Sequence, residues 1–154
     1  MKTLAIDIET YSSVDLIKSG VYAYTEAPDF EILLFAYAFD DEPIQIIDLA
    51  QGEKLPPELL AALTSSKVIK TAYNANFERT CIAKHFDLLM LPDQWRCTAV
   101  HATTLGLPGN LDGVAKSMKL EAQKDKAGKA LIRYFSIPCK PTKANGGRTR
   151  NLPE

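Results

Sequence analysis

Residues 5–12 read A-I-D-I-E-T-Y-S and set two carboxylates, Asp7 and Glu9, into an otherwise apolar segment near Met1. Side chains alternate between the two faces of a strand. Over residues 3–9 this puts Leu4, Ile6 and Ile8 on one face, with Thr3, Ala5, Asp7 and Glu9 on the other. The two acids then lie ~7 Å apart at Cα and point the same way, so their oxygens can converge on one divalent ion. An oxygen-only pair prefers hard cations, Mg²⁺ or Mn²⁺. Without an ion, the like charges raise one of the two pKa values. A strand with one wet face has the same alternation, so the pair alone leaves both readings open.

Working outward, E-I-L-L-F-A-Y-A-F at 31–39 is a continuous apolar run, and P-I-Q-I-I-D-L at 43–49 follows the turn-like D-D-E-P. With residues 3–9 these predict three strands in succession. Pro56 and Pro57 open P-P-E-L-L-A-A-L-T-S-S, a short helix that tolerates proline in its first turn. K-V-I-K-T-A-Y-N at 67–74 returns as a strand, and a helix at about 76–86 carries Phe77, Cys81 and Ile82 on its apolar stripe. W-R-C-T-A-V-H-A-T-T-L-G-L predicts a short strand running into a helix. Leu111, Val114, Ala115 and Met118 then recur at helical spacing, and K-D-K-A-G-K-A-L-I-R-Y-F adds a helix with Leu131, Ile132 and Phe135. The final stretch, C-K-P-T-K-A-N-G-G-R-T-R-N-L-P-E, has proline, glycine and charge but no apolar period, and reads as an extended or disordered tail. A meander followed by alternating strands and helices predicts an α/β fold: a mixed sheet, antiparallel first and parallel later, flanked by helices.

The 154 residues suffice for one core. With 46% hydrophobic and 24% charged residues the composition is that of an ordinary globular chain. No run of 18 apolar residues is present, so no membrane span is expected. The segment after Met1 is strand-like rather than leader-like, which makes the cytoplasm the expected location. Three cysteines, Cys81, Cys97 and Cys139, are an odd count and argue against a disulfide framework. The net charge of −1 is unevenly spread: residues 1–115 hold 8 Lys/Arg against 16 Asp/Glu (−8), and residues 116–154 hold 10 against 3 (+7). An acidic body that meets a polyanion needs metal ions between them, and a basic flank attracts it. The basic flank comprises Lys116, Lys119, Lys124, Lys126, Lys129, Arg133, Lys140, Lys143, Arg148 and Arg150, with Tyr134 and Phe135 among them. Phosphate contact and stacking by such residues is how a single strand is held without regard to sequence, although Phe135 also fits a core position.

A third carboxylate comes from A-Y-N-A-N-F-E-R at 72–79, where Asn74 ends a strand and Glu78 stands one turn into the next helix. From there Glu78 can face the C-terminal end of the first strand and complete a metal position. A helix cap at Asn74 or Asn76, with Glu78 complementing the helix dipole, accounts for the same residues structurally.

At these residues the chain resembles a known family. I-D-I-E-T and N-A-N-F-E resemble the first and second motifs of the DEDD superfamily of 3′–5′ exonucleases, in particular the proofreading module of phage and prophage family A DNA polymerases. The similarity continues through Q-W-R-C-T, T-L-G-L-P-G-N-L-D-G-V-A-K and the final basic stretch. The resemblance implies a ribonuclease H-like exonuclease domain over 1–136, C-terminally incomplete, and a basic tail over 137–154. It also implies two-metal hydrolysis of DNA from a single-stranded 3′ end, with two Mg²⁺ or Mn²⁺ ions and a polymerase domain following. Asp7 and Glu9 would bind the first ion, Asp7 would bridge to the second, and Glu78 would stand where the superfamily usually has Asp, one methylene shorter. Thr10, Asn74 and Phe77 would contact the terminal nucleotide. The superfamily's third motif, a Tyr or His followed by an Asp four or five residues later, is expected downstream of N-L-P-E; Glu121 and Asp125 lack that spacing. The chain as it stands is therefore expected to lack one metal ligand and the residue that orients the water, and to hydrolyse DNA poorly.

Other classes compete with this reading. Cys81 with His85 and Cys97 with His101 both have i, i+4 spacing, which allows a Cys₂His₂ zinc site or, for the second pair, a nucleophile and its base. Cys81 lies on an apolar stripe and reads more naturally as a buried core residue. The remaining alternative is a non-catalytic nucleic-acid-binding or polymerase-associated module whose acids are vestigial.

Overall fold

The computed structural model describes residues 2–121 and 126–152, the side chain of Lys126 excepted. Lys124, Asp125, Glu154 and that side chain lie outside the described residues. One five-stranded sheet has the strand order β3-β2-β1-β4-β5. Its centre is β1 (Lys2–Tyr11), which is flanked by antiparallel β2 (Glu31–Phe39), with β3 (Gln45–Asp48) antiparallel beyond. On the other side β4 (Val68–Ala72) and β5 (Trp95–Cys97) run parallel to β1. Parallel neighbours need crossovers. Helix α2 (Pro57–Thr64) precedes β4 and α3 (Ala75–Phe86) precedes β5. Helices α4 (Thr98–Thr104), α5 (Leu111–Ser117) and α6 (Lys126–Phe135) follow, so the mixed sheet flanked by helices expected from the sequence is the one that forms.

The alternation of β1 becomes two layers. Leu4, Ile6 and Ile8 are buried in one core with Phe35, Leu59 and Ile82, while Ala5 and Asp7 are exposed. At the sheet edge, β3 is shorter than the predicted 43–49 and leaves Ile44 and Ile46 exposed.

Between β1 and β2 lies α1 (Leu16–Thr25), a helix absent from the expected elements. Ile17 and Tyr22 are exposed, and Gly20 (φ 77°) interrupts the helix. Its start is set by Asp15, whose carboxylate accepts from the amides of Ile17 (3.0 Å) and Lys18 (3.1 Å).

The β1–β2 register shifts where the acids lie. Glu9 pairs with Leu34 but Thr10 pairs with Ile32, so Leu33 is an extra residue in β2, a bulge beside the carboxylates. The Ile32 amide donates to Nδ1 of His85 at 3.1 Å. Burial, opposed by the Glu31 carboxylate, holds the His85 pKa below its ordinary 6.5. Protonation would charge a half-buried ring and block the nitrogen that accepts. The stability tied to neutral His85 is complete above pH 6.5 and is lost as pH falls through the lower folded-state value. His85→Ala is expected to cost about 1–3 kcal/mol near neutral pH and to flatten the loss on acidification, as read by urea unfolding at two pH values. Equal acid losses in both proteins would place the titration elsewhere.

Residues 137–152 form neither helix nor strand, yet they fold back on themselves. The Cys139 amide donates to the Thr149 carbonyl at 2.8 Å. Asn145 accepts from the Thr142 amide at 2.8 Å and donates to the Lys140 carbonyl at 2.9 Å. Gly146 and Gly147, both at positive φ, close the turn. Arg150 then fastens the loop to the sheet: its guanidinium lies 3.9 Å over the Tyr11 ring and pairs with Glu31.

Candidate functional site

A cleft of about 620 Å³ opens at the C-terminal end of β1, lined by Glu9, Thr10, Ser12, Tyr24, Phe77 and Ile137 among others. Strand β1 brings Glu9 and Thr10, helix α1 brings Tyr24 and helix α3 brings Phe77. Asp7 stands two residues before Glu9 on the same face of β1, exposed where Glu9 is half-buried.

Glu78 enters from the first turn of α3 and is only 4% exposed. Its Oε2 is buried without a hydrogen-bond partner. Burial pushes its pKa up to about 8; its own backbone amide pulls the other way, and the Asp7 charge adds to the rise. The Asp7 charge is therefore felt at Glu78. A buried carboxylate oxygen with no donor, opposite a second carboxylate, fits a hard cation. Among the described residues no three His, Cys, Asp or Glu side chains stand close enough to form a finished ligand set.

Thr10 is buried and shares a 2.8 Å hydrogen bond with the Tyr24 hydroxyl. Burial, eased by that bond, pushes the tyrosine pKa up to about 12, so the hydroxyl stays protonated. Tyr24 also packs against Phe30 (5.7 Å between ring centroids) and Phe77 (6.2 Å), forming an aromatic floor. The sequence reading places no helix over 16–25 and so does not single out Tyr24. Asn74 occupies the N-cap position of α3 in the left-handed region (φ 70°, ψ 48°), but its side chain makes no cap bond. Neither Asn supplies the expected cap, since Asn76 instead accepts from Arg79 at 2.9 Å. The Asn74 side chain is not committed to the helix.

The cysteine arrangements do not come together as functional pairs. Cys81 lies fully buried in the core, its thiol pKa raised by burial and then by Glu78, and His85 Nδ1 is engaged by Ile32. Burial would raise the Cys97 pKa, but the amides of Val100, Ala75, Asn74 and Ala99 together lower it; His101 is not among the causes. A second cavity, about 270 Å³ and mostly apolar, lies between the bulged stretch of β2 (Leu33, Leu34) and α6 (Leu131, Ile132, Phe135), and Glu9 borders it too.

No protein-family model matches the chain. All 154 residues align at 86% identity with a DNA polymerase of Bacillus phage SP02, of which they cover 24%. The chain thus spans about a quarter of the length of that curated relative. Among solved structures, one described as the apo form of the nuclease superposes with a TM-score of 0.60 at 21% identity, covering 83% of this chain and 56% of that one. NrnC of Brucella melitensis with bound Mg²⁺ gives 0.58 at 17% identity over 80% of this chain and 56% of that one. Escherichia coli RNase D, an exoribonuclease involved in structured RNA processing, gives 0.56 at 18% identity over 82% of this chain and 30% of that one. The chain is a near relative of a segment of a phage DNA polymerase and has the ribonuclease H-like fold that these nucleases share.

Proposed function

We propose that these residues are the metal-dependent 3′–5′ exonuclease module of a DNA polymerase, acting on the 3′ end of a single DNA strand. The observation that carries this reading is Glu78: a carboxylate oxygen buried with no donor, set against the charge of Asp7 on the central strand. Such a group is satisfied by a proton or a cation. The polymerase relative and the Mg²⁺-bound nuclease of like fold support the cation. Asp7, Glu9 and Glu78 would hold two Mg²⁺ or Mn²⁺ ions. Bound there, the ions supply a water of lowered pKa and neutralise charge on the leaving 3′ oxygen.

The chain's own side chains do the positioning. Asp7 and Glu9 sit two residues apart on a strand that pairs with β2 at both positions, Asp7 with Ala36 and Glu9 with Leu34, which holds their spacing. Phe77 offers a flat face for the terminal base. Thr10, held by Tyr24, offers its backbone and a closed wall, and Asn74 has an amide available for the sugar or phosphate.

The resemblance implies a fourth carboxylate and a water-orienting Tyr or His beyond N-L-P-E. The test compares release of 3′ nucleotides from single-stranded DNA by the 154 residues and by a polypeptide extended through the next fifty or so codons of the polymerase relative. The extended polypeptide is expected to be active with Mn²⁺ and the shorter one nearly inactive. Equal metal-dependent activity would overturn the need for the further motif, and inactivity of both would overturn the exonuclease reading.

A further inference from the structure

Residues 136–152 contain four cations, Lys140, Lys143, Arg148 and Arg150, and no Asp or Glu. Arg150 is committed to Glu31 and Tyr11, which leaves Lys140, Lys143 and Arg148 exposed and, among the described residues, in no ion pair. A loop that only needed to be soluble could stay mobile, and its like charges would then spread apart. Here Asn145 bonds the backbone at Lys140, Thr142 and Arg148, and the Arg150 clamp ties the segment to the sheet, so three cations are carried on one folded loop. The start of the same segment, Ser136, Ile137 and Pro138, lines the cleft that contains Glu9, Thr10 and Phe77.

The geometry points to loop 139–149 as a phosphate grip: Lys140, Lys143 and Arg148 hold the backbone of a single nucleic-acid strand whose end lies in the cleft. This rests on the exonuclease reading for the cleft but not on catalysis by it. The bulk of the protein is acidic, so a polyanion approaching the carboxylates needs an attractive surface beside them. The loop that follows the cleft-lining Pro138 supplies one. Contact is with phosphates rather than bases, because lysine and arginine ends on an open loop present charge without a shaped base pocket. Arg150 is a positioning residue, since its charge is spent on the sheet.

The test follows fluorescence anisotropy of labelled oligothymidylate and oligouridylate, each of about 12 nucleotides, as salt is raised, with a chelator present to prevent hydrolysis. The unaltered chain is compared with a variant combining Lys140→Gln, Lys143→Gln and Arg148→Gln, after thermal unfolding has shown the two to be equally stable. Each phosphate contact to a single strand adds about 0.7 to the slope of log affinity against log salt, so the variant is expected to flatten that slope by about 2. The flattening is expected with both probes; flattening with one alone assigns the grip to that nucleic acid. An unchanged slope with both, or no binding by the unaltered chain, overturns the proposal. The two readings fail separately. A flattened slope with an inactive extended polypeptide keeps the grip and removes the nuclease, and hydrolysis with an unchanged slope does the reverse.

Discussion

Asp7→Ala in the extended polypeptide is expected to lower Mn²⁺-dependent release of 3′ nucleotides by about 10³-fold or more, because a bound ion contributes several kcal/mol of transition-state stabilisation and each 1.4 kcal/mol is a factor of ten. Asp7 is exposed on the face that Glu9 shares and its charge is felt at Glu78, so its removal takes away the group common to both proposed ion positions. The fold should not suffer, since Leu4, Ile6 and Ile8 on the opposite face carry the packing of β1. Affinity for a single strand in the presence of chelator should stay the same or rise slightly, because a negative charge has been removed near a polyanion. Undiminished hydrolysis would show that Asp7 holds no catalytic ion, and a protein that binds DNA identically with and without Asp7 while neither form cuts would be a binding module.

Glu78→Gln is expected to stabilise the metal-free protein at high pH. The folded-state pKa of Glu78 is about 8 against an ordinary 4.5, so the folded state retains a proton that the unfolded state releases between those values. Stability therefore falls as pH rises from 4.5 to about 8, and above that window the full cost of ionising the buried group is about 5 kcal/mol. Glutamine has the same shape and never ionises. Urea unfolding in chelator should show the parent and Glu78→Gln alike below the window and the variant more stable above it. Adding Mg²⁺ above the window should recover more stability for the parent than for the variant, because the ion offsets the buried negative charge that only the parent carries. Parallel pH curves for the two proteins would show that the titrating group is not Glu78.

The mixed sheet could be read from the chain because its strands have a packing reason visible in their own pattern, whereas the strand order, with β4 beside β1, could not. In β1 every second residue is large and apolar, and burial follows that spacing from Leu4 to Ile8. The bulge at Leu33 could not be read, since an extra residue in one strand is a property of the pair and appears in neither sequence alone. Helix α1 was hidden for a related reason: Gly20 breaks it into two short pieces, and what holds it is the cap at Asp15 and the tertiary contacts of Tyr24. Asp7, Glu9 and Glu78 could be named because their spacing resembles known motifs. The depth of Glu78 could not, because burial depends on how α3 packs against the sheet. The final basic stretch misled by composition: proline and paired glycines mark turns as readily as disorder, and only the partners of Asn145 and Arg150 show that this one is folded.

The Arg150–Glu31 contact also has a consequence in time. It joins residues 119 apart in sequence, and Glu31 and Tyr11 face one another only once β1 and β2 have paired. Closing so long a stretch gains nothing before the sheet exists, so the clamp belongs to the last stage of assembly and to the first stage of opening. Contacts made that late govern how fast a protein comes apart rather than how fast it forms. Weakening the clamp is therefore expected to speed unfolding more than it slows folding.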